Sequence, residues 1–88
     1  MIAAICAAPT ALASHKIGLG KALTSYPAQA FKEKLAEYDY KEEDVVVDGN
    51  IVTSRGPGTS FKFALEIVKI LAGEEKMKEI AGAMLVPC

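Results

Sequence analysis

The chain has 88 residues, 51% hydrophobic and 24% charged, with 10 basic against 11 acidic side chains and a net charge of −1. That length bounds it at one domain or part of one, and a chain so short buries only about 60% of the surface it exposes when unfolded. The composition excludes a disordered chain, the balanced charge argues against a nucleic-acid or anionic-membrane surface, and no apolar run reaches the ~18–20 residues of a membrane span.

Taken in order, "MIAAIC" is a short, continuous apolar run that suits a strand buried on both faces, over residues 2–6. No basic n-region precedes it, so a secretory signal is not expected. Pro9 fits the first turn of a helix over about 10–16, which "GLG" (Gly18 to Gly20) ends. "KALTS" (Lys21 to Ser25) is a candidate second strand, expected over residues 21–24. A strand–helix–strand unit of this kind calls for parallel pairing of the two strands. "PAQAFKEKLAEY" (Pro27 to Tyr38) reads as a short helix. "VVVDGNIVTS" (Val45 to Ser54) places two β-branched runs around Asp48-Gly49, a hairpin signal, with residues 51–54 as its second strand. After the break at "GPG" (Gly56 to Gly58), residues 60–72 carry Phe61, Leu65, Val68 and Leu71 on one helical face. Thr59 or Ser60 is the expected N-cap and Gly73 the stop. "EEKMKEIAGAML" (Glu74 to Leu85) predicts a weaker last helix.

The chemistry gathers at Cys6. A thiol at a strand-to-helix corner faces the free N–H groups and positive dipole end of the helix, which favour thiolate. The backbone N–H of Ala7 is placed to hold an oxyanion, as at a nucleophile elbow, and Ala7 and Ala8 let a substrate approach. The alternative is a cysteine buried as a small hydrophobe. The one histidine, His15, lies nine positions on, ~13 Å along a helix at 1.5 Å per residue, and reads as a helix C-terminal cation. "SRGPGTS" (Ser54 to Ser60) lacks a Walker lysine and reads as a strand-to-helix turn, with Arg55 available for a nearby carboxylate. Tyr38 and Tyr40 read as packing residues and Cys88 as a solvated tail. Two distant cysteines make neither a disulfide framework nor a metal site. A soluble, intracellular protein with free thiols is expected.

"IAAICAAPTALA", "LTSYP" and "DGNIVTSRGPGTSFKFALEIV" resemble the C-terminal half of the Parkinson-disease-associated protein deglycase family of the ThiJ/PfpI superfamily, over essentially the whole chain. The resemblance implies an α/β fold, the C-terminal part of a flavodoxin-like three-layer sandwich with a mainly parallel sheet. It implies a homodimer, and a reactive cysteine at Cys6 that oxidises to a sulfinate. It implies cysteine-dependent deglycase or glyoxalase activity on 2-oxoaldehydes and on glycated proteins or nucleotides, or a redox-sensing, stress-protective chaperone without turnover. No cofactor, metal or membrane is implied. The implied location is the cytosol, with the nucleus and mitochondrion. The candidate site residues are Cys6, Ala7 and Tyr26. Two departures stand out. The family's best-known member has a histidine at the position of Tyr26, and a phenol is a poor general base at pH 7. The family's glutamate partner to the cysteine, and the glycine-rich backbone lining its pocket, belong to an N-terminal half that this chain does not carry. Residues 1–88 are therefore expected to form a single incomplete domain, inactive on its own.

Overall fold

A computed structural model describes residues 1–86; Cys88 lies outside the described residues. Strands and helices follow one another as β1 (Ile2–Ile5), α1 (Thr10–Ser14), β2 (Ala22–Leu23), α2 (Gln29–Lys34), β3 (Asp39–Tyr40), β4 (Val45–Asp48), β5 (Ile51–Ser54), a 3-10 turn (Pro57–Thr59), α3 (Ser60–Ala72) and α4 (Glu74–Ala83). The architecture is α/β. One sheet has the order β1-β5-β4 and a second pairs β2 with β3. The β1–β5 and β2–β3 pairings are parallel and β4–β5 is antiparallel, so the expected mainly parallel character holds.

The β4–β5 hairpin runs from Val45 opposite Ser54 to Asp48 opposite Ile51, leaving Gly49–Asn50 as a two-residue loop. Gly49 has φ 61° and Asn50 is not left-handed, the pattern of a II′ turn with glycine first. The sequence places this turn one residue early. Asp48 is the last strand residue, and its carboxylate accepts the Ala22 N–H at 2.7 Å.

Two expectations about β1 fail. Its parallel partner is β5, not β2. N–H groups in and just after β2 are instead taken by hairpin side chains, Ala22 by Asp48 and Thr24, the residue after the strand, by the Thr53 hydroxyl at 2.9 Å, and β2 extends its ladder with β3. Nor is β1 buried on both faces. It is an edge strand among the described residues, with Ala3 exposed and Ile2, Ala4 and Ile5 only half-buried.

Helix α1 is shorter than expected and ends before the glycines. Lys16 takes the left-handed conformation (φ 54°), Ile17 N–H reaches back to the Leu12 carbonyl at 2.8 Å and Lys16 N–H to that of Ala13 at 3.1 Å. These two bonds make a Schellman stop. Gly18 (φ +64°) then turns the chain under β5, where an added Cβ would lie 2.7 Å from Ile51 Cδ1. Gly18→Ala is expected to lower the unfolding free energy by about 1–2 kcal/mol, the left-handed penalty of a non-glycine residue, read as a lower urea midpoint at unchanged slope.

The core joins Leu12 of α1, Leu23 of β2, Leu35 and Tyr38 after α2, and Ile51 of β5, with Ile2, Ala13 and Tyr40 against it. Helix α3 contributes less than its stripe predicts. Leu65 is buried, but Phe61 is 57% exposed and Leu71 70%, because no described element covers the two ends of the stripe. Thr59 is the N-cap residue, but its hydroxyl does not cap the helix. It serves the preceding loop, accepting from the Arg55 and Gly56 N–H groups at 3.2 Å. Gly73 (φ 94°) ends α3 as expected.

Candidate active site

Strand β1 delivers Cys6 into a tight turn over Cys6–Pro9. Cys6 itself has φ 64°, a left-handed conformation that costs an L-residue about 1–2 kcal/mol. Such a conformation persists only where its surroundings over-determine it, and such positions cluster at functional sites. Both sides of the residue are held. Cys6 N–H donates to the Ser54 carbonyl at 3.1 Å, continuing the β1–β5 ladder, and the Cys6 carbonyl accepts the Tyr26 N–H at 2.9 Å. The thiol is free and half-buried.

The helix contributes less than the sequence suggests. Ala7, Ala8 and Pro9 separate Cys6 from α1, which is five residues long, and so short a helix has little dipole to lend. Its first hydroxyl, of Thr10, is spent on the Ala7 carbonyl at 2.7 Å. The Ala7 N–H has no acceptor among the described residues, and Ala7 is exposed. That donor is therefore open to an incoming oxyanion.

Of the three candidate site residues, Cys6 and Ala7 are adjacent, and Tyr26 joins them through its main chain. The Tyr26 ring is 47% exposed and meets Phe31 edge-on at 6.4 Å. His15 caps the opposite end of α1, so the structure does not bring it to Cys6.

A cluster that the sequence did not signal lies behind Tyr26. Arg55, expected to serve a carboxylate, forms no ion pair among the described residues. Its Nε donates to the Ser25 carbonyl at 3.1 Å and its NH2 group to the Tyr40 hydroxyl at 3.2 Å. The Tyr40 hydroxyl also lies 3.0 Å from Ser25 Oγ and 3.2 Å from the Ser25 carbonyl. Lys32 Nζ and the Arg55 guanidinium approach the Tyr40 ring at 5.7 and 5.9 Å from its centroid. Tyr40 is thus the hub of a polar cluster and not simply a packing residue, whereas Tyr38 is part of the core.

The two tyrosines are tuned in opposite directions. Burial raises the pKa of the Tyr40 phenol, but hydrogen bonds from Ser25 and Arg55 and the Arg55 charge outweigh it, so Tyr40 sits below its ordinary value of 10.0. Burial, then the Glu37 charge, raises Tyr38 above that value. Tyr40 therefore adds stability that is present above pH 10 and fades as pH falls through its lowered pKa. Tyr38 adds stability that is present below pH 10 and fades as pH rises through its raised one. In an ultraviolet tyrosinate titration, Tyr40→Phe is expected to remove absorbance gained below pH 10, and Tyr38→Phe absorbance gained above it. The reverse order would contradict the cluster as described.

A cavity of about 520 Å³ forms an open groove between α3, Met77 of α4 and the Glu43–Val45 segment. It does not include Cys6, and its side chains offer no nucleophile–base pair, so it does not compete with the corner as the site of chemistry. Among the described residues no group of three His, Cys, Asp or Glu side chains is placed to hold a metal ion, and no helix is long and apolar enough to cross a membrane.

Known proteins share both the sequence and the geometry. Protein DJ-1alpha of Drosophila melanogaster is 60% identical over 87 residues, covering 97% of this chain and 39% of that protein. Protein dj-1beta of the same fly is 53% identical over 87 residues, covering 98% of this chain and 46% of that protein. Its crystal structure superposes with a TM-score of 0.94 over 100% of this chain and 47% of its own. The glutathione-independent glyoxalase DJR-1.2 of Caenorhabditis elegans is 42% identical over 82 residues, covering 91% of this chain and 42% of that protein. The chain thus spans less than half the length of each of these relatives. Residues 1–70 match the DJ-1/PfpI family, and the chain belongs to that family.

Proposed function

We propose that this chain carries the nucleophile of a cysteine-dependent glyoxalase or deglycase of the oxidative-stress response, with Cys6 as both nucleophile and oxidation-sensitive thiolate. The observation that carries the reading is the left-handed Cys6 held between the Ser54 carbonyl and the Tyr26 N–H beside the open Ala7 N–H. The name of the 42%-identical worm relative, a glutathione-independent glyoxalase, supports the substrate class. In this reading the Cys6 thiolate attacks the aldehyde carbon of a 2-oxoaldehyde. A C–S bond forms, the carbonyl π pair moves onto oxygen, and the Ala7 N–H binds the alkoxide until water protonates it to a hemithioacetal. The next step removes a proton from carbon. Neither His15 nor the exposed Tyr26 ring serves as that base, and the domain's other half would provide it.

We take residues 1–88 as part of one DJ-1/PfpI-type domain. It works as a homodimer in the cytosol, nucleus and mitochondrion, on small 2-oxoaldehydes or glycated proteins and nucleotides. A second reading is a redox-sensing, stress-protective chaperone without turnover. The absence of a base beside Cys6 among the described residues favours it, because oxidation needs little more than thiolate and access. Methylglyoxal consumption by the purified natural protein separates the two. Catalytic conversion to lactate supports the enzyme. No turnover, with Cys6 consumed by peroxide, supports the sensor. A Cys6 inert to both contradicts the two readings together.

A further inference from the structure

We propose that Arg55 is a positioning residue for Cys6, the closing link of a hydrogen-bonded ring that holds the thiol-bearing turn in its strained conformation. The inference rests on the proposed role of Cys6 and adds to it a residue 49 positions away in sequence. The ring runs through three segments. Cys6 N–H binds the carbonyl of Ser54 at 3.1 Å, and the peptide bond carries the chain to Arg55. Arg55 Nε binds the Ser25 carbonyl at 3.1 Å, and the next residue, Tyr26, returns its N–H to the Cys6 carbonyl at 2.9 Å. Without the Arg55 link, Ser25–Tyr26 and Ser54–Arg55 are each tied to Cys6 but not, by this ring, to one another.

The fork of the guanidinium suits this task. One edge takes the Ser25 carbonyl while NH2 takes the Tyr40 hydroxyl at 3.2 Å, and that hydroxyl lies 3.0 Å from the Ser25 hydroxyl. Ser25 is thus gripped at carbonyl and side chain, and its own hydroxyl donates to the Tyr26 carbonyl at 3.0 Å. The Arg55 backbone is anchored too, its N–H on the Thr59 hydroxyl at 3.2 Å. Ser25 and Ser54 are fully buried, so these bonds form away from competing water. A lysine, with one nitrogen on a flexible stem, cannot reproduce a two-pronged contact of this geometry.

The test is the rate at which iodoacetamide alkylates Cys6 in the purified natural protein, read by peptide mass spectrometry with Cys88 as the control. Arg55→Gln is expected to slow Cys6 about tenfold, about 1.4 kcal/mol of barrier, the scale of the left-handed strain that the ring holds in place. It is also expected to leave the Cys88 rate unchanged. Loss of a residue that only adds stability would instead speed alkylation of Cys6 by opening the fold. Arg55→Lys should recover little of the rate. Should Arg55→Gln fail to fold, Tyr40→Phe deletes a single oxygen from the same grip and should slow Cys6 in the same direction. Wild-type Cys6 rates in a folded Arg55→Gln variant, or in Tyr40→Phe where Arg55→Gln does not fold, overturn the proposal. A wild-type protein in which Cys6 reacts no faster than Cys88 would instead overturn the nucleophile reading on which it rests.

Discussion

Cys6→Ser is expected to reduce methylglyoxal consumption to the uncatalysed background while leaving the fold in place. The substitution replaces one atom at a half-buried position, and the hydrogen bonds that shape the turn are made by the backbone of residue 6, so serine keeps them. What it removes is the nucleophile. A serine hydroxyl needs an adjacent base to become reactive, and the structure puts the only histidine at the far end of α1. Tyr26→Phe is expected to change activity little, because the Tyr26 contribution to the site is its main-chain N–H, which phenylalanine retains. A tenfold loss in that variant, about 1.4 kcal/mol of barrier, would show that the phenol takes part in the chemistry. The pair of variants therefore separates the role of the thiol from that of the Tyr26 ring.

Residues 1–88 expressed alone are expected to show a broad, weakly cooperative melt and to self-associate. Five large side chains make up the central cluster, and each buried Leu- or Phe-sized side chain contributes roughly 1.5–3 kcal/mol. Against that stand Phe61, Ile70 and Leu71 of α3 and Met84 and Leu85 after α4, large apolar side chains left exposed. The outer edge of β1 is unpaired among the described residues, and an open edge with apolar flanks is a template for pairing with another chain. Domains hold only ~5–15 kcal/mol of net stability, so losing cover over several core-facing positions consumes that margin. Relatives more than twice as long as the matched stretch have chain to spare for that cover. Circular dichroism on heating together with sedimentation makes the test, and a soluble monomer with a sharp melt would contradict it.

The hairpin, α3 and its glycine stop were readable because each rests on local chemistry: β-branched runs about a turn glycine, apolar residues at helical spacing, and a left-handed glycine. The corner at Cys6 was readable for the same reason, as an apolar run meeting a helix-opening proline. Its strain was not, since nothing about cysteine signals a φ of 64°. Lys16 likewise holds a left-handed stop two residues ahead of Gly18, where the pattern pointed to glycine. Pairings were less legible than elements. Beside β1 lies β5, while Asp48 and Thr53 capture the N–H groups of Ala22 and of Thr24 just after β2, contacts 26 and 29 residues apart. Strand β3 is two residues long, too short to show alternation. The Arg55–Tyr40–Ser25 cluster spans 15 and 30 residues and has no spacing that a sequence could display. The separate signal that reached furthest was the family resemblance, which named Cys6 without reporting how its backbone is held.

Cys6 is proposed as the reactive sulfur of this chain. The test is to titrate the natural protein with peroxide from below one equivalent to a small molar excess, since a sulfinate consumes one peroxide for each of its two added oxygens, and to locate added oxygen by peptide mass spectrometry. The Cys6 peptide is expected to gain one oxygen and then, as peroxide exceeds one equivalent, a second, a sulfinate, before any modification of the Cys88 peptide. Oxidation of Cys88 first, or a Cys6 peptide that stays unmodified, would contradict it.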